Sequence, residues 1–291
     1  MNAKNLQQRL DRRNGGGLVV APGVFDMISA LSADQLGFDA LYMTGYGTVA
    51  SHLGLPDAGY ATYTDMVGRV ETIARGTKTP LIADADTGFG GLLNVDHAVR
   101  GYERAGAAAI QIEDQEFPKK CGHTPGRRVV PAEDMARKIR VAVEARDDPG
   151  FLIVARTDAR TGHGLDEALR RAELYARAGA DILFVESPES VEEMQRICET
   201  FPEVPLLANM VEGGRTPVLS RDELEALGYA IAIFPAAGFL AAAAAYRTVY
   251  SALKDAGSTA GAEVELLPFD EMNRLVGFER VWAFDARHAE D

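Results

Sequence analysis

Cysteine is scarce in this chain of 291 residues: Cys121 and Cys198 are the only two, too few for a disulfide framework. Positive charge is in deficit as well, with 30 Lys and Arg against 43 Asp and Glu and a net charge of −13. Nucleic acids and anionic membrane surfaces call for a basic footprint, so neither is expected as a partner. No apolar run approaches the roughly 20 residues that span a bilayer. The best candidate, Phe234 to Tyr246, is short and mostly alanine. The polar N-terminus, MNAKNLQQRLDRRNGGG, has no apolar h-region, so no secretory signal is expected. No GxGxxG follows the first strand-like run, and GGG at 15–17 precedes it, as a turn would and a dinucleotide loop would not. These absences leave a cytoplasmic enzyme of ordinary globular composition, 47% hydrophobic and 25% charged. An acidic chain that binds a small anion must build a local positive site to do so.

What is present is a rhythm. Eight short apolar runs recur: Leu18–Ala21, Ala40–Thr44, Leu81–Asp84, Ala109–Glu113, Leu152–Arg156, Ile182–Glu186, Leu206–Asn209 and Ala230–Phe234. Continuous apolar runs bounded by turns suit strands buried on both faces, as in parallel sheets. Between them, VDHAVRGYERAGA, PAEDMARKIRVAVEARDD, GLDEALRRAELYARAGAD and SVEEMQRICETF carry apolar residues at helical spacing. Glycine often stands just before the next strand, where a helix C-cap belongs. The alternation predicts an α/β fold, a (β/α)8 TIM barrel over residues 1–255, and eight runs fit it better than a doubly wound open sheet. Residues 256–291 hold Trp282 and no further strand pattern. They read as a helical extension that packs on a partner subunit or caps its own barrel. Ala241–Ala245 suits close helix approach or a plain high-propensity helix.

In such a barrel, catalytic groups sit at the C-terminal ends of strands. Here those ends are polar: Thr44-Gly45-Tyr46-Gly47, Asp84-Ala85-Asp86, Glu113-Asp114, Arg156-Thr157-Asp158, Glu186 and Asn209. Helix capping explains one such residue, but six consecutive ends, some in Glu or Arg, point to a shared site. Asp84, Asp86 and Glu113 would repel one another unless a cation neutralised them. A few carboxylates completed by water and substrate oxygens is how Mg²⁺ is held, and the lack of His or thiolate argues against zinc. The alternative is that these acids satisfy backbone N–H groups or Arg156. Arg156 suits bidentate carboxylate recognition, and the backbone at 44–47 could hold a second carboxylate. Together these features describe a site for a small di- or tricarboxylate.

The loop after the fourth run, Pro118-Lys119-Lys120-Cys121-Gly122-His123 followed by TPGRR, sets a thiol among basic groups. Positive neighbours lower a cysteine's pKa, and mobile loops of this kind serve as lids. A solvated basic loop with an inert cysteine is the competing view. Cys198 sits at an apolar helical position and reads as core.

The K-K-C-G-H of 119–123 resembles the signature loop of the isocitrate lyase and phosphoenolpyruvate mutase superfamily. L-G-L-P-D at 53–57, D-A-D-T-G-F-G at 84–90, I-E-D-Q at 112–115 and A-R-T-D-A at 155–159 are similar to it too, in the same order, over roughly Val20 to Tyr250. The resemblance is closest to the group of 2,3-dimethylmalate lyase, 2-methylisocitrate lyase, petal death protein and oxaloacetate hydrolase. It implies a TIM barrel, Mg²⁺ dependence with Mn²⁺ as a substitute, and a homotetramer in which paired subunits swap C-terminal helices. It further implies carbon–carbon cleavage of a 2-hydroxy di- or tricarboxylate, of alkylmalate or 2-methylisocitrate type, by retro-aldol chemistry. Oxaloacetate hydrolysis to oxalate and acetate is the alternative. Pro235, where oxaloacetate hydrolases resemble one another in having serine, counts against it. A barrel that binds carboxylates without turnover is a further alternative. By the same resemblance Asp86 holds Mg²⁺ most directly, with Asp84 and Glu113 directly or through water. Thr44, Gly45, Tyr46 and Arg156 hold the oxo-acid end, and Asp57 and Glu212 join the substrate-binding set. Cys121 is the general acid, and Lys119, Gly122 and His123 shape the lid and the thiol's charge. Glu186 and Asn209 orient the other carboxylate or the base, for which Tyr46 and Glu186 are the candidates.

Overall fold

The computed structural model describes residues 2–10, 17–124 and 126–289; Gly15 and Gly16 of the GGG turn lie outside them. The strands are β1 (Val19–Val24), β2 (Leu41–Met43), β3 (Leu81–Asp84), β4 (Ala109–Glu113), β5 (Leu152–Thr157), β6 (Ile182–Val185), β7 (Leu207–Asn209) and β8 (Ile231–Phe234). The helices are α1 (Asn2–Leu10), α2 (Met27–Gln35), α3 (Gly45–Leu53), α4 (Tyr63–Gly76), α5 (Leu92–Ala105), α6 (Ala132–Ala145), α7 (Ala159–His163), α8 (Leu165–Arg177), α9 (Val191–Thr200), α10 (Arg221–Leu227), α11 (Ala237–Ala256), α12 (Phe269–Leu275) and α13 (Phe278–His288).

Every strand pair is parallel, in the order β6-β5-β4-β3-β2-β1-β8-β7. A parallel bridge between Leu183 and Leu206 joins the two ends and closes the sheet into a (β/α)8 barrel. Local signals agree with this path. Ser190 caps α9, and Ser220 with Glu223 forms a capping box on α10. Gly228 ends α10 at φ 112°, a conformation that side chains resist.

Alternation along the strands sorts the side chains into two layers. Leu41, Met43, Leu81, Ala83, Ile110, Ile153, Ala155 and Leu183 belong to the apolar cluster that also holds the helix residues. Val19, Ala21, Tyr42, Ile82, Ala109, Leu152, Val154, Ile182, Phe184, Leu207 and Ile231 form a second, inner cluster, which Leu6 of α1 joins. The inner register decides where the polar residues go. Leu152 and Val154 are followed two residues on by Arg156, Ile182 and Phe184 by Glu186, Ala109 by Gln111 and Glu113, and Tyr42 by Thr44. The period of two therefore carries each strand-end polar group onto the face that lines the barrel mouth.

The chain divides into two compact units, Met1–Gly238 and Phe239–Asp291. In the second, α12 and α13 pack together, and along α13 the Phe278 and Trp282 rings lie 5.9 Å apart. Its apolar side chains are largely open: Tyr250, Phe269, Val281, Trp282 and Phe284 are all exposed. The tail read from sequence as a helical extension holds α12 and α13. No helix among the described residues is long and apolar enough to cross a membrane.

Candidate active site

Two charge clusters share the C-terminal mouth of the barrel. The first is built around Asp84 and Asp86. Asp86 has φ 49°, an unfavourable conformation for a residue with a side chain. That turn lets its N–H donate to Asp84 Oδ1 at 3.0 Å. Gln111 Nε2 donates to the same oxygen at 3.3 Å, and Gln111 is itself held by the Tyr42 hydroxyl at 2.9 Å. Gly45 faces the pair: a Cβ there would lie 2.4 Å from Asp84 Oδ2 and 3.6 Å from Asp86 Oδ1. Lys119 reaches across from the next loop, its Nζ 2.6 Å from Asp57 Oδ1 and 2.7 Å from Asp86 Oδ1. Burial opposes charge on Lys119, but Asp86, Asp57, Glu113 and Asp84 together hold its pKa well above the usual value. One ammonium does not balance the acids. Burial pushes the Asp86 carboxyl up to about 7; Lys119 pulls against this, while Asp84 and Asp57 add to it.

The second cluster is centred on Arg156. Its Nε and Nη2 donate to Asp158 Oδ2 and Oδ1 at 2.9 and 3.0 Å, a bidentate pair. Nε also lies 3.3 Å from Glu113 Oε2 and Nη2 3.1 Å from Glu186 Oε2, and the guanidinium stacks over Phe184 at 4.9 Å. Glu186 is buried, but Arg156 and His123 hold its pKa below the usual range against that burial. Asn209 Nδ2 donates to Glu186 Oε2 at 3.0 Å. The Arg215 N–H donates to His123 Nδ1 at 3.2 Å, which assigns the imidazole proton to Nε2, 3.3 Å from Glu186 Oε1. Burial lowers the pKa of His123, with Glu186 pulling the other way.

Lys119, Cys121, Gly122, His123 and Arg127 of the loop after β4 bring it against both clusters. Cys121 N–H donates to the Asp57 carbonyl at 3.1 Å, and the Ser187 hydroxyl is 3.1 Å from the Gly122 carbonyl. Gly122 is required by close approach: a Cβ would fall 2.3 Å from Arg156 Nη2 and 2.8 Å from Glu186 Cδ.

The expectation that basic neighbours lower the Cys121 pKa is corrected here. Burial pushes the thiol up to about 11, with Asp57 and Glu186 adding to it. The reason is direction. Lys119 turns to Asp57 and Asp86, Lys120 Nζ to the Gly126 carbonyl, and His123 to Glu186 and Arg215. The thiol is thus a held proton, not a ready thiolate. Cys198 is buried in the helix-layer core, as its apolar position suggested.

Of the residues singled out in the sequence, the structure brings together Asp57, Asp84, Asp86 and Lys119 on one side. Glu113, Arg156, Glu186, Asn209, Gly122 and His123 gather on the other. Glu113 faces Arg156 and is also within electrostatic reach of Lys119 and Asp84, so it stands between the two groups. Thr44 caps α3, its Oγ1 accepting from Gly47 N–H at 3.4 Å, and Gly45 and Tyr46 form that helix's first turn. The Tyr46 side chain is 40% exposed, and Glu212 is exposed. Sequence reasoning gave no role to Asp158, Ser187 or Asp114. Asp114 accepts from Thr157, Arg171, Tyr175 and the Asp158 N–H, and so fixes the turn that holds Arg156. Ser187 has φ 59°, a second strained residue at the mouth. The R-T-D run did carry a signal for Asp158, an acid two residues from a buried arginine.

Among the described residues, no three His, Cys, Asp or Glu side chains converge closely enough to enclose a metal ion alone. Mg²⁺ does not require that, since it keeps waters and takes one or two carboxylates. The Asp84–Asp86 pair supplies such donors, next to space that Gly45 leaves free of a side chain. Glu113 Oε1, buried without a hydrogen-bond partner, is a further oxygen donor. The residues fit the ion.

The model of the phosphoenolpyruvate phosphomutase family matches residues 8–254. The chain belongs to the phosphoenolpyruvate mutase and isocitrate lyase superfamily. Within it, the chain is 53% identical to 2,3-dimethylmalate lyase of Eubacterium barkeri, covering 94% of each protein. It is 44% identical to 2-methylisocitrate lyase of Aeropyrum pernix, covering 94% of this chain and 86% of that one. Among solved structures, oxaloacetate acetylhydrolase with 3,3-difluorooxalacetate superposes with TM-score 0.93 at 35% identity, over 100% and 98% of the two chains. A 2,3-dimethylmalate lyase does so with TM-score 0.91 at 39% identity, over 99% and 96%. Phosphonopyruvate hydrolase with oxalate and Mg²⁺ gives TM-score 0.87 at 31% identity, over 100% of both chains. Within the superfamily this chain is a carbon–carbon lyase.

Proposed function

We propose that the chain cleaves a 2-hydroxy dicarboxylate of the alkylmalate type, with a divalent cation, into a 2-oxo acid and a carboxylic acid. One observation carries this reading: a half-buried thiol that keeps its proton, Cys121, stands over a mouth shared by an acid pair and an arginine cluster. The identity of 53% with a 2,3-dimethylmalate lyase supports the substrate class.

In this scheme a base takes the C2 hydroxyl proton, the C2–C3 bond breaks, and its electron pair passes to the departing carboxylic acid fragment. Cys121 then gives its proton to C3. A thiol held near pKa 11 is protonated at neutral pH, as a donor to a carbanion must be. Arg156 holds a substrate carboxylate, with Glu186, Asn209 and His123 fixing its orientation. Glu186 accepts from several donors and has a lowered pKa, so it suits that orienting role better than proton removal. Tyr46, in the first turn of α3 beside Gly45, is the remaining candidate for the base. Asp84 and Asp86, with Glu113 directly or through water, would hold Mg²⁺ or Mn²⁺, which supplies stabilisation of negative charge on the oxo-acid oxygens. Loop 117–128 excludes water, so that the carbanion meets the thiol first.

The match to oxaloacetate acetylhydrolase favours a second reading on the same site, oxaloacetate hydrolysis to oxalate and acetate. The exposed apolar side chains of α11 and α13 fit burial against a second copy of the chain, as in a swapped tetramer. A panel of malate, citramalate, 2,3-dimethylmalate, 2-methylisocitrate and oxaloacetate with Mg²⁺, assayed for 2-oxo acid and for oxalate, tests the function. Release of a 2-oxo acid from an alkylmalate is expected. Oxalate from oxaloacetate alone would replace the first reading by the second.

A further inference from the structure

The two arginines that end the lid segment behave differently. Arg128 is exposed and pairs with Glu116 at 2.7 Å on the surface. The Arg127 side chain is only 3% exposed. Its Nη1 donates to Asp158 Oδ1 at 2.6 Å and its Nη2 to Thr161 Oγ1 at 2.5 Å. Its Nε is buried without a hydrogen-bond partner among the described residues. A lid residue has thus been driven under the surface to reach the carboxylate that already holds Arg156.

We propose that Arg127 is a positioning residue that acts through Asp158: arriving with the lid, it takes a share of Asp158's charge and leaves Arg156 with positive charge for a substrate carboxylate. This rests on the reading that Arg156 holds such a carboxylate. The geometry supports each step. Asp158 Oδ1 accepts from both guanidiniums, at 2.6 Å from Arg127 and 3.0 Å from Arg156. The Asp158 backbone is fixed by its N–H, which donates to Asp114 Oδ1 at 2.8 Å, so the carboxylate is presented to both guanidiniums from one anchored position. Asp114 is in turn held by Thr157, Arg171 and Tyr175. Around Arg156 stand three carboxylates, Asp158, Glu113 and Glu186. With Arg127 absent, one guanidinium faces three acids, and an incoming anion would meet surplus negative charge. With Arg127 present, two guanidiniums face three, and the surplus negative charge that another carboxylate meets is smaller. Arg127 and Cys121 lie on the same loop, so the charge that favours substrate binding arrives with the proton donor.

The test compares Arg127→Met, Arg127→Lys and Arg127→Gln in the full chain with Mg²⁺. The readouts are oxalate affinity by calorimetry and kcat and KM on whichever substrate the panel identifies. The lysine keeps the charge without the planar fork; the glutamine keeps a hydrogen bond without the charge. For the methionine and glutamine variants we expect oxalate affinity to fall and KM to rise roughly 10-fold or more, the order for one charge acting across a short buried distance. Little change in kcat and rescue by lysine are expected alongside. Glutamine rescuing as well as lysine, or an unchanged oxalate affinity in both neutral variants, would overturn the proposal while leaving the proposed function in place. If no 2-hydroxy acid is turned over but oxalate affinity follows charge at residue 127, the proposed function fails and this inference stands. Failure of the wild-type chain to bind oxalate removes the anion site at Arg156 and overturns both. A neutral variant that does not fold is replaced by the lysine–glutamine contrast, which decides the same point.

Discussion

The Lys119 and Arg156 clusters are built from the same residue types at the same end of the barrel, yet they are charged to opposite purposes. Lys119 is one ammonium among Asp57, Asp84 and Asp86, and burial leaves Asp86 with a pKa of about 7. Arg156 has a bidentate carboxylate partner, and a second arginine, Arg127, shares that partner. The first cluster is short of positive charge and suits a cation. The second has two guanidiniums for Asp158, Glu113 and Glu186, a smaller deficit, and their planar donor forks suit an organic carboxylate. A buried cluster thus signals its ligand by what it leaves unbalanced, since unpaired buried charge is costly.

The most severe way to break this contrast is to remove the cation side. Asp86→Ala should cost several kcal/mol of transition-state stabilisation, roughly 10³-fold or more in kcat/KM. EDTA should abolish wild-type turnover, with recovery on adding Mg²⁺ or Mn²⁺. Full activity after exhaustive chelation would show that the acid cluster serves some other end.

Next in size is the proton donor between the two clusters. Cys121→Ser should lower turnover by at least roughly 10²-fold and leave substrate affinity nearly unchanged, because the thiol acts on the carbanion and not on the bound ground state. Cys198→Ser, in the core, should affect only stability. The pH dependence of iodoacetamide labelling in Cys198→Ser sharpens the point. Reaction at Cys121 should rise toward about pH 11 and not level off near the ordinary thiol value. Labelling that saturates near neutrality would restore the lowered pKa that the loop composition suggested.

The barrel was legible because strands buried on both faces of a parallel sheet leave short continuous apolar runs, a strong local signature. The runs Leu81–Asp84 and Ala109–Glu113 are β3 and β4 to the residue, and the others differ at their ends by one or two residues, or three at β1. The polar strand ends were legible for the same reason, since an Arg or Glu closing an apolar run has no business in a core. Partnerships were not. Nothing local says that Lys119 turns back to Asp57 and away from the Cys121 thiol, where burial and the nearby acids outweigh Arg156. The sign of the thiol shift depends on that choice. Asp158 was visible as a residue beside Arg156 at the end of β5, but its other arginine partner, Arg127, lies on a loop 31 positions earlier.

A smaller effect is expected from Gly122→Ala, which tests whether the lid must lie flat on the Arg156 cluster. The new methyl would sit 2.3 Å from Arg156 Nη2, and Arg156 is held by Asp158 and cannot easily give way. Overpacking of this kind costs about 1–3 kcal/mol, so KM should rise roughly 10-fold. The melting temperature should change little, because the strain is relieved by opening the loop. An unchanged KM would mean that the lid closes in another way.

The smallest effect concerns stability, and it sets Asp86 against Glu186 and Asp158 by the direction of pH dependence. Asp86 has a folded pKa of about 7 against 3.8 when free, so between those values the folded chain binds the proton that the unfolded chain has lost. The unfolded state then binds fewer protons, and stability falls as pH rises through that window. Glu186 and Asp158 have folded pKa values below their free ones, so their contribution is present above the free values and lost as pH falls through the folded ones. In EDTA, the melting temperature should therefore drop by about a few degrees between pH 5 and 8, a shift of the size that a kcal/mol or so produces in a chain of this length. Asp86→Asn should flatten that slope. Mg²⁺ should raise the melting temperature most at the alkaline end, because it binds the ionised carboxylate. A melting temperature that stays level from pH 5 to 8 in EDTA, and does not respond to Mg²⁺ at pH 8, would mean that Lys119 already balances the acids and that the cation side of the contrast is not short of charge.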